Sequence, residues 1–130
     1  MAIPIRRKLT PAKLEKLAIE LMEYLQKNEM FEYVYIYVNN KCYAQSRHND
    51  KGTRHQSKYG HYYIIPDMPV REMLEYCNPE TITVSFDGAL YTAINYGLGT
   101  VEADLNKMFK KHNMYFEQGQ PSDFALYYEF

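Results

Sequence analysis

Basic residues and histidines concentrate in residues 41–58 of the sequence. One acid, Asp50, stands there among five basic residues, which gives the stretch a formal charge of +4; the five are Lys41, Arg47, Lys51, Arg54 and Lys58. His48 and His55 can add to this charge. Because lysine and arginine bind phosphate oxygens and carboxylates, the stretch predicts a site for phosphate groups or for an acidic protein surface. The alternative is a loop whose charges are only solvated.

Three histidines of this region, His48, His55 and His61, raise the question of a metal site with Asp50 as a further ligand. Three imidazoles can hold zinc and leave one coordination position open. Their spacing matches no ligand motif, however, and the neighbouring cations would repel a metal ion. We therefore expect neither a metal nor another cofactor.

A Gly-Leu-Gly sequence at residues 97–99 precedes Thr100 and a helical pattern, an order that can bind phosphate at a helix N-terminus. The first turn of that helix contains Glu102 and Asp104, whose charges would repel a phosphate. We interpret the glycines as a turn and Thr100 as a helix cap.

Aromatic residues are abundant, with fourteen Tyr and six Phe but no Trp. Residues 31–38 alternate so that one side of a strand carries aromatic rings, those of Phe31, Tyr33, Tyr35 and Tyr37. If helices cover the aliphatic side, this aromatic face is exposed and marks an interface with a partner or with a second copy, as in a homodimer. The alternative is a sheet covered by helices on both faces.

Two helices must support these candidate residues. Thr10 followed by Pro11 predicts the start of a helix that extends to about Lys27, because apolar residues recur there at three- and four-residue spacing. Thr100 predicts the start of a second helix, which carries Val101, Leu105, Met108 and Phe109 on one side.

Strands are predicted at residues 31–38, 41–46, 59–65, 81–86, 114–118 and 124–130, and a short helix around Val70 and Leu74. Asp87 and Gly88 favour a hairpin turn, so residues 89–96 are predicted to return as a strand, although their pattern also fits a helix. Residues 47–57 contain no apolar side chain and are predicted to form an exposed, mobile loop.

Tight turns join most of these strands, which requires antiparallel pairing. The sequence therefore predicts a single α+β domain over residues 1–130. Its sheet is expected to be mainly antiparallel, with about six or seven strands and three helices packed mostly on one face.

Composition excludes several classes of protein. The formal net charge is −1, so no overall basic field attracts nucleic acid or anionic lipid, and no run of about 18 apolar residues predicts a membrane span. Residues 1–9 lack the apolar stretch of a signal peptide. Cys42 and Cys77 are accordingly expected to be reduced thiols that fill apolar space in a cytoplasmic protein.

No set of residues in the sequence matches a catalytic site. The basic stretch and the surplus of tyrosine therefore favour a non-catalytic binding protein, an adaptor or inhibitor encoded by a bacterium, phage or mobile element. We expect it to engage a protein or a nucleic-acid-bound enzyme. The residues expected to contact the partner are Arg47, His48, Lys51, Arg54, His55, Lys58, Tyr33, Tyr35 and Tyr37. Two alternatives stay open: a small nucleotide- or RNA-handling enzyme that uses the loop histidines with Arg47 and Arg54, and a sponge for a phosphorylated small molecule.

Overall fold

One antiparallel sheet organises residues 7–130, the part of the chain that a computed structural model describes. Its strands follow the order β3-β4-β2-β1-β5-β7-β6, and every neighbouring pair is antiparallel. The strands are β1 (Val34–Val38), β2 (Lys41–Ala44), β3 (Thr53–Ser57), β4 (Gly60–Ile65), β5 (Thr83–Phe86), β6 (Met114–Glu117) and β7 (Asp123–Tyr128). The helices of these residues are α1 (Pro11–Lys27), α2 (Val70–Met73), α3 (Gly88–Asn95) and α4 (Val101–Lys110). The predicted α+β class with an antiparallel sheet is confirmed, while the N-terminal residues 1–6 lie outside the described residues.

Helices α1, α3 and α4 cover one face of the sheet, which we call the helix face. Thr10 Oγ1 accepts a hydrogen bond from Lys13 N (3.3 Å) and caps α1, whose apolar stripe is buried against the sheet. Tyr24 Oη donates to Asp104 Oδ2 (2.7 Å) and so links α1 to α4. The sheet supplies fully buried side chains to this core, among them Ile36, Val84 and Phe124.

Residues 88–95 form helix α3, so the strand predicted for residues 89–96 is wrong. Asp87 does not begin a hairpin turn; its carboxylate accepts a hydrogen bond from Gly88 N (2.8 Å) as the helix cap. Leu90, Ala93 and Ile94 recur at helical spacing and are buried, which a strand could not achieve on one side. Capping and the 3.6-residue period together outweigh the Asp-Gly turn signal.

The loop predicted for residues 47–57 is wrong in its second half, because Thr53–Ser57 forms edge strand β3. This strand pairs with β4 from Thr53 opposite Ile64 to Ser57 opposite Gly60. An edge strand can consist of polar residues, since backbone hydrogen bonds on one side hold it and polar side chains discourage further pairing. The irregular segment is thereby shortened to residues 45–52, where Asn49 and Asp50 take positive φ in a turn.

The second face of the sheet is covered in part by residues 66–80, which include α2. Met68 and Val70 bury Tyr37, Cys42 and Ile65 in a small apolar cluster. Farther along, the segment reaches the β6–β7 turn and packs so closely there that a Cβ on Gly119 would lie 2.3 Å from Tyr76 Cβ. The remaining part of the second face, toward β3, carries Arg54 and lies next to Arg47, two of the predicted binding residues.

The last strand ends earlier than predicted, at Tyr128. Phe124 and Leu126 are fully buried, whereas Phe130 is 45% exposed and lies beyond the strand.

None of the helices within residues 7–130 combines the length and apolar composition that a membrane crossing requires.

Candidate functional site

Tyr63, on the second face of the sheet, has one arginine over its ring and a second as its cross-strand neighbour. Arg47 Cζ lies 5.1 Å from the centroid of the Tyr63 ring, within the range of a cation–π contact. Arg54, on β3, stands directly opposite Tyr63 in the β3–β4 register and on the same face. Both arginines are exposed and Tyr63 is half-buried. We call these three residues the arginine patch.

Gly52 makes this arrangement possible. Its φ of +129° belongs to the region that favours glycine, and a Cβ there would lie 3.2 Å from Ile65 Cγ1, 3.4 Å from Tyr63 Cβ and 3.6 Å from Arg47 Cγ. A Cβ at this position would crowd Ile65, while its distances from Tyr63 and Arg47 are those of ordinary contact. The positive φ that glycine adopts without strain allows the chain to turn from Arg47 into β3.

The other predicted basic residues are distributed around the patch. Lys51 is exposed in a turn, where its backbone N and O pair with those of His48 at 2.8 and 3.2 Å. Lys58 is exposed in the β3–β4 turn, with its Nζ 5.7 Å from the Tyr59 ring centroid. Lys41 is different, because its ammonium pairs with Glu15 of α1 on the helix face. Its charge is locally neutralised and does not add to the patch.

The three histidines do not converge. His55 lies on the helix face, where its ring stacks on Tyr62 with centroids 5.3 Å apart, while His61 lies on the second face against the edge of Tyr63 at 6.0 Å. Within residues 7–130, no group of three His, Cys, Asp or Glu side chains could hold a metal ion.

The aromatic face predicted for residues 31–38 is divided, so that prediction is wrong in part. Phe31 is buried in the helix-face core, because Tyr33 takes a φ of +64° in a turn that breaks the alternation. Tyr33 is 62% exposed, Tyr35 is half-buried, and Tyr37 is buried under residues 66–80. Only Tyr33 and part of Tyr35 remain accessible, and a homodimer through them stays a prediction.

The two glycines of the Gly-Leu-Gly sequence lie in a turn between helices. Gly97 and Gly99 take φ of +62° and +65° in the turn after α3, which Leu98 N closes by donating to Ala93 O (3.0 Å). Thr100 immediately precedes α4, but its hydroxyl donates to Asp104 Oδ2 (2.9 Å) instead of accepting from a backbone N–H, so the predicted cap hydrogen bond is not formed.

Burial raises the pKa of the Cys42 thiol to about 12, which keeps it protonated and unreactive.

Charge is divided between the two parts of the second face. The basic side chains Arg47, Lys51 and Arg54 are exposed at the β3 edge. Residues 66–80, which cover the other part, contain four acids against one base: Asp67, Glu72, Glu75 and Glu80 against Arg71. All four acids are exposed, and Glu80 is in contact with Lys8 at 3.6 Å. A partner on this face meets both signs of charge.

Sequence reasoning missed Tyr63 as the residue that organises the patch. The available signals were Gly52, which permits close approach, and the cross-strand pairing of Arg54 with Tyr63, which becomes visible only once β3 is recognised. It also missed Gln45, which lines two cavities beside the patch. Comparisons of the chain with protein-family models, with curated proteins and with solved structures found no match.

Proposed function

We propose that this protein is a non-catalytic binding protein, an adaptor or inhibitor, that holds its partner on the arginine patch. The observation that carries the proposal is the placement of Arg47 and Arg54 around Tyr63 at an exposed sheet edge. Guanidinium groups pair with carboxylates or phosphates through two parallel hydrogen bonds, and an adjacent ring supplies apolar contact area. Arginine and tyrosine are also the residue types that dominate the energetics of protein interfaces.

The charge pattern favours a protein over bare nucleic acid as the partner. A nucleic acid that extends from the arginine patch across the second face would meet the exposed acids of residues 66–80 and be repelled by them. A protein surface can present acids to the arginines and bases to those acids. The partner should therefore remain bound after nuclease treatment.

Charge reversal at the patch tests the proposal. The double variant Arg47→Glu/Arg54→Glu should keep the thermal midpoint of the parent, because exposed charge changes usually cost within about 0.5 kcal/mol. The parent, immobilised and exposed to a nuclease-treated lysate of the cells that naturally produce it, should retain its partner. The double variant should lose that partner, and the parent's affinity should fall as salt is added.

A matched control reverses the same amount of charge elsewhere. Lys13 and Lys16 are exposed on α1, near its N-terminal end, where carboxylates are favourable to the helix dipole. Lys13→Glu/Lys16→Glu should retain the partner. If the patch variant binds as well as this control across the salt range, the arginines are only solvated charges and the proposal is wrong.

A further inference from the structure

Two adjoining cavities lie beside the arginine patch, at the end of the sheet where β1 and β4 begin and β2 ends. The smaller has a volume of about 230 Å³ and the larger about 370 Å³. Glu32, Gln45 and His61 line both of them. The smaller cavity is also lined by Gln26 of α1 and by Tyr59, so the C-terminal end of α1 reaches it.

Gln45 gives this site a chemical requirement. Among the buried side-chain polar atoms of residues 7–130, its Oε1 is the one that has no hydrogen-bond partner. A covered amide oxygen without a donor is unfavourable, and because Gln45 lines both cavities, a turn of its side chain that brings Oε1 to an N–H or O–H group of a ligand stabilises the site. An amide can also rotate and present its nitrogen. The neighbouring charged groups must therefore decide whether the ligand is a cation or an anion.

Those charges favour a cation. Glu29 and Glu32 line the smaller cavity, and neither forms an ion pair within residues 7–130. The negative end of the α1 dipole adds to their field, because Gln26 belongs to the last turn of this helix. Glu32 also lines the larger cavity, and its carboxylate raises the pKa of Tyr33 there by hydrogen bonding and by its charge.

Aromatic surface completes the site. Tyr59 and Phe31 line the smaller cavity, and aromatic rings attract cations that approach their faces. Lys58 places one positive charge near this ring, with its Nζ 5.7 Å from the Tyr59 centroid, and the two carboxylates of Glu29 and Glu32 outweigh that single charge. Rings also pack against the methylene groups that carry such a head group.

We propose that this end of the sheet binds an organic cation, the guanidinium or ammonium head of an arginine or lysine side chain that the partner protein presents. Gln45 Oε1 accepts a hydrogen bond from the head group, Glu29 and Glu32 supply the opposite charge, and Tyr59 contacts the stem. The identity of the source rests on the proposed binding function, whereas the cation chemistry rests on the cavity alone. A free small amine would offer the same head group.

Capped amino acids test the chemistry on the unmodified protein. N-acetyl-arginine amide and N-acetyl-citrulline amide have nearly the same shape, but only the first is charged. Titration followed by amide NMR shifts should show the arginine probe binding at least about tenfold more tightly, the scale of one charge-assisted hydrogen bond. Shifts should centre on Gln45, His61 and Glu32. Equal binding of the two probes, or shifts elsewhere, would overturn the proposal.

Variants of Gln45 and Glu32 sharpen the test. Gln45→Glu adds a carboxylate and should raise the affinity for the arginine probe, whereas the same change in an anion site would not. Glu32→Gln should lower the affinity for the arginine probe about tenfold. Glu102→Gln removes an exposed charge on α4 and serves as the control that leaves binding unchanged. Weaker binding to Gln45→Glu that retains the parent's thermal midpoint would contradict a cation site.

The source of the cation is decided with n-propylguanidinium, a free cation that carries the same head group and the same single charge as the capped arginine. Tighter binding of the capped arginine supports a side chain of a partner, and tighter binding of n-propylguanidinium overturns that part of the proposal. The charge-reversed patch variant should bind the arginine probe at least as tightly as the parent does, because it adds negative charge beside the cavities. Failure of partner capture with intact probe binding thus affects only the proposed function, and the reverse result affects only the cation site.

Discussion

The two faces of the sheet bury their side chains to different extents. On the helix face, α1, α3 and α4 exclude water from Ile36, Val84 and Phe124 entirely. On the second face, residues 66–80 bury Tyr37 and the residues around it, but the arginine patch remains at the surface. Burial of apolar area is the main stabilising contribution to folding. The helix face therefore accounts for most of the stability, and the second face offers the chemistry that can vary without loss of the fold.

Removal of residues 124–130 tests the largest consequence of this difference. Strand β7 lies between β5 and β6, so the deletion removes both ladders together with the buried side chains of Phe124 and Leu126. The truncated protein should lose its cooperative thermal transition, as followed by circular dichroism. Deletion of residues 129–130 alone, which lie beyond the strand, should leave a cooperative transition. A truncated protein that melts near the parent's midpoint would remove β7 from the core.

Two neighbouring residues of β1 allow the contributions of the two faces to stability to be compared within one strand. Ile36 is fully buried on the helix face, and Tyr35 is half-buried on the second face. Ile36→Ala should lower the free energy of unfolding by about 3–4 kcal/mol, through lost burial and the cavity left behind. Tyr35→Ala should cost about 1 kcal/mol, because its ring is only partly buried and its removal leaves a site open to water. Urea unfolding measures both values.

Equal losses of unfolding free energy for the two variants would mean that the second face contains a second core. In that case the arginine patch would border a structural element, and its charge reversal could not be neutral. The predicted ratio of about three is large enough to be resolved by linear extrapolation.

The fold was predictable where an apolar period is complete. Helix α1 and strand β5 each carry a full stripe of buried residues, and the sequence predicts both. The sequence does not predict β3, since Thr53–Ser57 has no apolar residue and is held by its pairing with β4 and by a hydrogen bond from the Ser57 hydroxyl to Gln26 Oε1 (2.6 Å). It fails again at α3, where Asp87 can cap a helix or open a hairpin, and only burial of Leu90 and Ile94 decides.

The candidate site was predictable in its charges but not in its assembly. Arg47 and Arg54 stand seven residues apart, and nothing in their spacing indicates that Arg47 lies over the Tyr63 ring while Arg54 stands opposite Tyr63 in the sheet. The position of Arg54 depends on the β3–β4 register, which is a property of backbone pairing. In the same way, the turn at Tyr33 moves Phe31 to the helix face, against the alternation that its sequence suggests.

The smallest expected effect concerns a charge between α1 and the sheet. Glu15 accepts a hydrogen bond from Tyr43 Oη and contacts Lys41. Burial alone would raise the pKa of Glu15, but the hydrogen bonds from Lys41 and Tyr43 outweigh it, so the pKa lies below the ordinary value of 4.5. Glu15→Gln should lower the free energy of unfolding at pH 7 by about 1 kcal/mol. Glu20→Gln, which removes a surface pair with Lys111 at 3.1 Å, should cost less than about 0.5 kcal/mol.

The pH dependence separates the charge of Glu15 from its shape. Because its pKa is lower in the folded chain than in the unfolded chain, the stabilisation is fully present above the ordinary pKa and is lost as pH falls through the lowered one. The parent and Glu15→Gln should therefore differ at pH 7 and converge as the pH falls through the lowered pKa of Glu15. Urea unfolding at pH 7 and at a series of acidic pH values measures this convergence. A difference that persists unchanged in acid would mean that packing of the side chain, and not its carboxylate, joins α1 to the sheet.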